Sequence, residues 1–395
     1  MKRLALLLVA VALLWPAAAN AQLTMQMSNG WTFAFAGNVN VFWVFTKADS
    51  TAGDASNSSI RTGLLPAFAT FSAKGKEAGM DLGVHFGFAP QIQCPGVHDC
   101  FGANIDMRQV YLTVGGKWGQ ILAGRELGLF GRQNILTDQT LFGVGAVGFG
   151  FEQGGGTTLG RIGYGYIYPQ FNAQVTYSTR GGRPGQLSIG LFQPSVLLGG
   201  TGGNPYLYTR IPRVEAEFTY NQKSGKNTFL VWAGGLWQST ADSATGGNTA
   251  SSFGGTGGIR AGISDLSIVV SGYIGRGLGT TLMFSGDEVA ANDTDLRTSD
   301  GGIVQLGYTF NKKTTIAGSW GFSRLRNNET GDGNKAVRSN LYSYTAGIYH
   351  QWTKSLKLVL EGTQEGTTGE TAGLFAGLPP GASQINVSGG FMLFY

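Results

Sequence analysis

The 395-residue chain carries only 13% charged residues against 12% aromatics and 65 glycines, with a formal net charge of +5. Soluble domains carry about 25% charged residues, so the composition disfavours an ordinary soluble globule, and the small positive balance implies no nucleic-acid partner. Mean hydropathy is zero and no long apolar run follows the first residues, which excludes a helical membrane bundle but leaves open a barrel of alternating strands.

In chain order, Lys2 and Arg3 precede an apolar stretch, Leu4 to Leu14, and Ala19-Asn20-Ala21 forms a small-x-small cleavage pattern. These features predict a secretory signal over residues 1–21 and a single mature domain over 22–395. Loss of Lys2 and Arg3 lowers the net charge from +5 to +3. No Cys follows the cut, which argues against a lipid anchor there.

Strands are predicted near 31–46, 61–73 and 79–90. In the third, Asp81, Gly83 and His85 alternate with Leu82, Val84 and Phe86. Cys94 and Cys100, the only cysteines, follow in CPGVHDC. An exported chain meets oxidising conditions, so a small loop disulfide is expected; with His98 the trio matches no familiar zinc spacing, and no metal or other cofactor is expected. Strands near 104–114 and 119–126 come next, with Arg108 alternating onto the face of Val110 and Leu112, opposite Gln109, Tyr111 and Thr113. Gly143 to Gly148 spells G-x-G-x-x-G, but between antiparallel strands these are loop glycines rather than a dinucleotide site.

Further strands are predicted near 158–168, 171–180, 210–221, 227–238, 253–264, 265–276, 301–310, 314–325, 341–352, 355–365 and 384–395. Val214, Ala216, Phe218 and Tyr220 form an apolar row opposite Arg213, Glu215, Glu217 and Thr219. In the last strand Ile385, Val387, Phe391, Leu393 and Tyr395 share one face. Alternation in any one strand would equally suit a soluble sandwich. The connections discriminate: short links near Gly75, Gly116, Pro169, Gly225, Ser264-Asp265, Lys312-Lys313 and Thr353-Lys354 alternate with longer Gly/Asn/Ser/Asp-rich segments. That rhythm belongs to outer-membrane barrels with short periplasmic turns and long external loops. The fold class is therefore an all-β transmembrane antiparallel barrel in the outer membrane of a Gram-negative bacterium. Sixteen strands are expected, both termini being periplasmic. Gln186 to Gln193 (QLSIGLFQ) also reads as a strand; parity assigns it to a long loop, or else the barrel has eighteen strands. A barrel of this size leaves an aqueous channel.

Enzymatic chemistry finds no support. His85, His98 and His350 are the only histidines, there is no G-x-S-x-G elbow, and no His lies beside an evident nucleophile and orienting acid.

The segment Arg108 to Arg125, RQVYLTVGGKWGQILAGR, resembles a hairpin of the general trimeric porins of Gram-negative bacteria. Ala69 to Phe88 is similar to the same family's second hairpin, and Arg161 to Tyr177 to the strand pair after its constriction loop. The resemblance implies a third external loop folded into the barrel, here Leu127 to Gly156, with Asp138 as its acid and Glu126 and Glu152 at its edges. It also implies wall arginines at Arg108, Arg125 and Arg161 facing that loop across the constriction. Two departures stand out: Thr70 occupies a basic position of the family unless Arg61 substitutes, and FGVGAVGFGF replaces the loop's usual P-E-F-G-G. The resemblance further implies a homotrimer, outer-membrane lipid as surroundings, and a terminal strand (Phe391, Leu393, Tyr395) read by the barrel assembly machinery.

Three functions fit these readings. The first is a diffusion pore for small hydrophilic solutes and ions, leaning towards anions through Arg108, Arg125 and Arg161. The second is a substrate-selective pore using loop aromatics such as Phe142, Phe149, Tyr206 and Tyr208. The third is a non-conducting adhesin or structural barrel presenting external loops, among them Arg180 to Arg183 and Leu278 to Asp300.

Overall fold

A computed structural model of the chain describes residues 23–49, 55–93, 105–149, 156–197, 206–245, 247–286, 288–370 and 380–395. The expected signal segment 1–21, the expected disulfide pair Cys94 and Cys100, His98 and Glu152 lie outside the described residues.

Eighteen strands occur in the described residues. They are β1 (Leu23–Gln26), β2 (Thr32–Asp49), β3 (Ala55–Arg61), β4 (Phe68–Glu77), β5 (Met80–Pro90), β6 (Ile105–Gly116), β7 (Gly119–Leu127), β8 (Phe171–Ser178) and β9 (Gly185–Phe192). The remainder are β10 (Arg213–Ser224), β11 (Asn227–Ala241), β12 (Thr249–Ile263), β13 (Leu266–Arg276), β14 (Thr298–Phe310), β15 (Thr314–Arg326), β16 (Val337–Gln351), β17 (Leu356–Gly369) and β18 (Ser383–Phe394). Between β7 and β8 lie a short helix, α1 (Arg132–Thr137), and a 3-10 turn, Gln139–Phe142. Sixteen strands, β2 and β4 to β18, form a closed antiparallel barrel, sealed where β18 pairs with β2 from Phe394↔Asn38 to Ser383↔Asp49.

The two additional strands both lean on β2. β1 pairs with its foot, Leu23↔Phe35 to Gln26↔Thr32, continuing the line of β18. β3 pairs with its upper half and β4 with its lower half, so the two make one broken strand. The break, 62–67, contains Pro66, which cannot donate to a ladder; its Thr62, Leu64, Leu65 and Ala67 are buried. There Gly63 N–H donates to Asn40 and Leu64 N–H to the carbonyl of Gly143, so the detour packs on the loop inside the barrel.

Exposure along each strand is inverted relative to a soluble sheet. On β2, Val39, Val41, Trp43 and Phe45 are exposed while Asn38, Asn40 and Thr46 are buried. On β10, Phe218 and Tyr220 are exposed while Arg213, Glu215 and Glu217 are buried. Apolar-out, polar-in alternation is what a lipid-facing barrel requires, and it decides between barrel and sandwich where single-strand patterns do not.

Sixteen strands are present as expected, but one assignment was exchanged. Residues 158–168 form no strand; they belong to a loop running from Gly128 to Gln170, longer than the expected Leu127 to Gly156. Gln186 to Phe192, expected in a loop, lies in β9, paired with β8 and β10. The reason is burial. Every residue from Gly160 to Ile167 is buried, both parities alike, which fits a segment surrounded by protein and not a strand with one face in lipid. One consequence is that Arg180 to Arg183 lies in the short β8–β9 hairpin, at the end of the barrel that carries the other short turns, and is not an external loop.

The buried apolar clusters lie within the barrel. One joins Ile135, Leu141, Val144, Val147, Ile162 and Tyr166 of the long loop to Phe42, Leu65, Val359 and Phe394. A second joins Phe130 and Ile167 to Leu236, Tyr273 and the β13–β14 connection through Leu278, Phe284 and Val289.

Candidate functional site: the lumen and its inward loop

The loop Gly128–Gln170 crosses the lumen about halfway up the strands, held by side chains that the strands point inward. Its first anchor is Glu215 on β10, which accepts the amides of Leu129 (2.8 Å) and Phe130 (2.9 Å) and is itself paired with Arg213 (2.8 Å). Two residues along the same face, Glu217 receives Arg132 and Gln133 of α1 at 2.5 and 3.2 Å. Asn134 reaches Trp232, Thr256 and Ser271 on β11, β12 and β13. Gln305 on β14 clamps the helix end, accepting from Gln139 N–H (2.8 Å) and donating to the Thr137 carbonyl (3.0 Å).

Beyond the 3-10 turn the glycine-rich segment meets β17. Glu361 accepts the amides of Val144 (2.6 Å) and Gly145 (2.9 Å) and the Tyr349 hydroxyl (2.5 Å). Glu365 accepts those of Val147 (3.0 Å) and Gly148 (3.1 Å), the Tyr164 hydroxyl (2.6 Å) and Gln384 (3.0 Å). Successive backbone N–H groups converging on a carboxylate make a charge-assisted cradle. Glycine is needed for the approach: a Cβ on Gly143 would lie 2.1 Å from Glu361 Oε1. The FGVGAVGFGF segment is thus the part of the loop shaped to sit on two wall carboxylates.

Of the five predicted constriction charges, the fold brings Arg108, Glu126, Asp138 and Arg161 inward but uses them differently. Arg108 does not share a face with Val110 and Leu112. A bulge opposite Gly87/Phe88 leaves Arg108 unpaired between Met107 and Gln109, and such an extra residue re-aims a side chain. Arg108 therefore bonds to Asp106 (2.8 Å), lies 3.5 Å from the Tyr168 hydroxyl at the loop's end and stacks over Phe171. Its side chain is 16% exposed and that of Asp106 is 43% exposed. Glu126 accepts two bonds from Gln109 (2.9 and 3.1 Å) and the Leu127 amide (2.7 Å).

Arg161 is fully buried. It donates to the carbonyl and hydroxyl of Ser343 at 2.6 and 2.7 Å and to those of Ser319, fastening the loop to β15 and β16. Asp138, also buried, caps the 3-10 turn through Thr140 N–H (2.9 Å) and accepts the Tyr166 hydroxyl (2.8 Å). Neither presents its charge to lumen water, contrary to the expected roles. Arg125 lies in register with Val110 and Ala173, in the exposed row of Leu112 and Val175, and so points away from the lumen. Arg61 does not take the place of the missing wall arginine either: it is buried, donating to the carbonyl of Gly156 at 3.1 Å.

The remaining lumen-facing groups were only partly anticipated. His85 faces inward as expected, stacked on Tyr111 at 5.0 Å and bonded to Gln109. Lys74, Arg260 and Lys357 were not singled out. Each shares a face with inward residues: Lys74 with Gly83, Arg260 with Leu230 and Val269, Lys357 with Met392. Lys357 lies 3.9 Å from the centroid of Phe142. The proposed aromatic track is not continuous, since Phe149 and Tyr206 are buried and Tyr208 is 42% exposed.

The comparisons agree with this architecture. A family model described as Gram-negative porin matches residues 5–370. No curated protein sequence matches the chain significantly. The outer-membrane channel DcaP of Acinetobacter baumannii is similar in fold at TM-score 0.65 and 13% identity, covering 94% of this chain and 99% of its own. An anion-selective porin from Comamonas acidovorans gives TM-score 0.63 and 12% identity, covering 92% and 100%. The trimer form of OmpT from Vibrio cholerae gives 0.53 and 14%, covering 93% and 100%. With an inverted-exposure barrel of sixteen strands, a loop across its lumen and a family match over nearly its whole length, the chain belongs to the Gram-negative porins and forms a multi-pass β-barrel of the outer membrane.

Proposed function

We propose that this porin passes small hydrophilic solutes by passive diffusion, with a preference for anions. The observation that carries the reading is the unequal use of charge inside the barrel. Among the described residues the inward carboxylates Glu126, Asp138, Glu215, Glu217, Glu361 and Glu365 accept bonds from loop amides, hydroxyls, amide side chains or arginine, and the more exposed Asp81 and Asp106 are paired with Lys76 and Arg108. The inward cations Lys74, Arg260 and Lys357 have no carboxylate partner among the described residues. All three lie within four residues of a short turn, roughly 7–13 Å along the strand from the barrel's lower rim. Solutes passing the loop therefore meet a basic vestibule, and rings of wall charge set ion preference. Arg108, beside the loop's end, is the predicted constriction charge that this reading retains.

The anion selectivity of the Comamonas porin supports the reading through a shared fold. The trimeric form of OmpT supports a homotrimer for this chain in the same way. The terminal row of exposed Phe391 and Leu393 with half-buried Tyr395 would serve as the strand recognised by the assembly machinery. Reversal potential in a KCl gradient tests the central point. Wild type should prefer chloride, and Lys74→Gln/Arg260→Gln/Lys357→Gln should reduce the anion-to-cation permeability ratio by roughly two-fold or more. Cation preference in the wild type, or an unchanged ratio in the triple variant, would refute it.

A further inference from the structure

Seven short turns close the lower rim, and five of them carry Lys or Arg that form no ion pair among the described residues. The row runs from Lys117 and the Arg180–Arg183 hairpin round to Lys312, Lys313 and Lys354, all exposed. The opposite rim is arranged differently. There Asp295, Glu329, Asp332 and Glu370 pair with Arg276, Lys335, Arg297 and Arg338.

The lower cations are also coupled to outward aromatics. Trp118 adjoins Lys117, is 47% exposed and stacks on Tyr177 at 6.2 Å; Tyr177 in turn precedes Arg180 by three residues. Tyr220 and Phe229, both exposed, lie on either side of the turn that carries Lys226, and Trp352 precedes Lys354 by two. Amphipathic rings facing outward sit at headgroup depth in a membrane, so the cations beside them lie at the level of lipid phosphates.

We infer that this rim is a docking surface for acidic glycerophospholipid headgroups in the inner leaflet. A phosphodiester anion meets one or two cations on a turn while its acyl chains lie along the aromatic row above. The peptidoglycan layer is a poorer occupant, because its contact would not require aromatics pointing sideways into lipid. The attraction is electrostatic at an exposed surface and is screened within a Debye length.

The test uses the folded full chain in phosphatidylcholine vesicles with spin-labelled phosphatidylglycerol or spin-labelled phosphatidylcholine. The immobilised fraction at the barrel is read by electron paramagnetic resonance. At low salt, phosphatidylglycerol should be preferred by about fivefold, for a headgroup gaining the attraction of one surface cation. High salt should abolish the preference. So should replacing Arg180, Arg183, Lys226, Lys312 and Lys313 with Gln. Should that variant fold poorly, the hairpin pair Arg180→Gln/Arg183→Gln alone should lower the preference measurably. A wild type without preference, or variants that keep it in full, would overturn the inference. So would loss of binding to purified cell-wall sacculi in a variant whose parent shows no lipid preference.

Discussion

Glu361 and Glu365 stand four residues apart on β17 and together take four loop amides and two tyrosine hydroxyls. Removing either carboxylate leaves buried N–H groups without acceptors, at about 1–3 kcal/mol each. Glu361→Ala or Glu365→Ala should therefore leave the barrel folded but free the segment around Val144 to Gly148. Faster proteolysis there, with unchanged heat-modifiable migration of the barrel, is the expected outcome; protection equal to wild type would show that apolar packing alone holds the loop. Asp332 makes a comparable latch outside the membrane, joining the β13–β14 and β15–β16 loops through Arg297 (2.6 Å) and the amides of Asn328 (2.8 Å) and Ala291 (3.0 Å). Burial pushes its carboxyl up, but these bonds outweigh it and hold the pKa at about 2. A depressed folded pKa means the latch contributes fully above the ordinary carboxylate range and is lost as pH falls towards 2. Protection factors of the amides around Ala290 to Arg297, taken against the intrinsic rate at each pH, should be high at pH 5 and fall between pH 4 and 2; a fall already complete near pH 5 would contradict that account.

At the scale of elements, the barrel closes along β18 and β2, and the last residue completes the seam. Gly37 and Tyr395 exchange backbone bonds (2.8 and 3.1 Å), Tyr395 packs on Phe35, and its hydroxyl donates to the Phe68 carbonyl at 3.3 Å. A Cβ on Gly37 would lie 2.0 Å from that carbonyl oxygen. Gly37→Val should accordingly cost about 1–3 kcal/mol through overpacking and lower the midpoint of urea unfolding in detergent; an unchanged midpoint would show the seam yields easily. Most strands were legible from sequence because lipid on one side and polar groups on the other enforce a period of two. The exceptions have physical causes. Residues 158–168 carry aromatics suited to a strand, but protein surrounds them, so no alternation is enforced. The inward aim of Arg108 depends on a bulge in its pairing with β5, which no single-strand pattern reveals. Glu361 and Glu365 did lie on a readable polar face, yet their partners are some two hundred residues away, and sequence periodicity carries no such pairing.

At the scale of the whole molecule, the lumen is divided rather than open. The loop from Gly128 to Gln170 occupies one side and is fastened to strands from β10 to β18, while His85, Tyr111, Gln109 and Arg108 line the side away from its main anchors. Carboxylates that would otherwise lie bare on the wall are used to hold the loop, so the same anchors narrow the passage and are covered by the loop they hold. Single-channel conductance in planar bilayers tests this most directly, comparing wild type with Glu215→Gln/Glu361→Gln/Glu365→Gln. Wild type should show discrete, ohmic steps, and the triple variant larger or noisier steps as the loop loosens. Folded wild-type protein without conductance, or a variant with steps identical to wild type, would contradict a channel narrowed by a loop pinned on wall carboxylates.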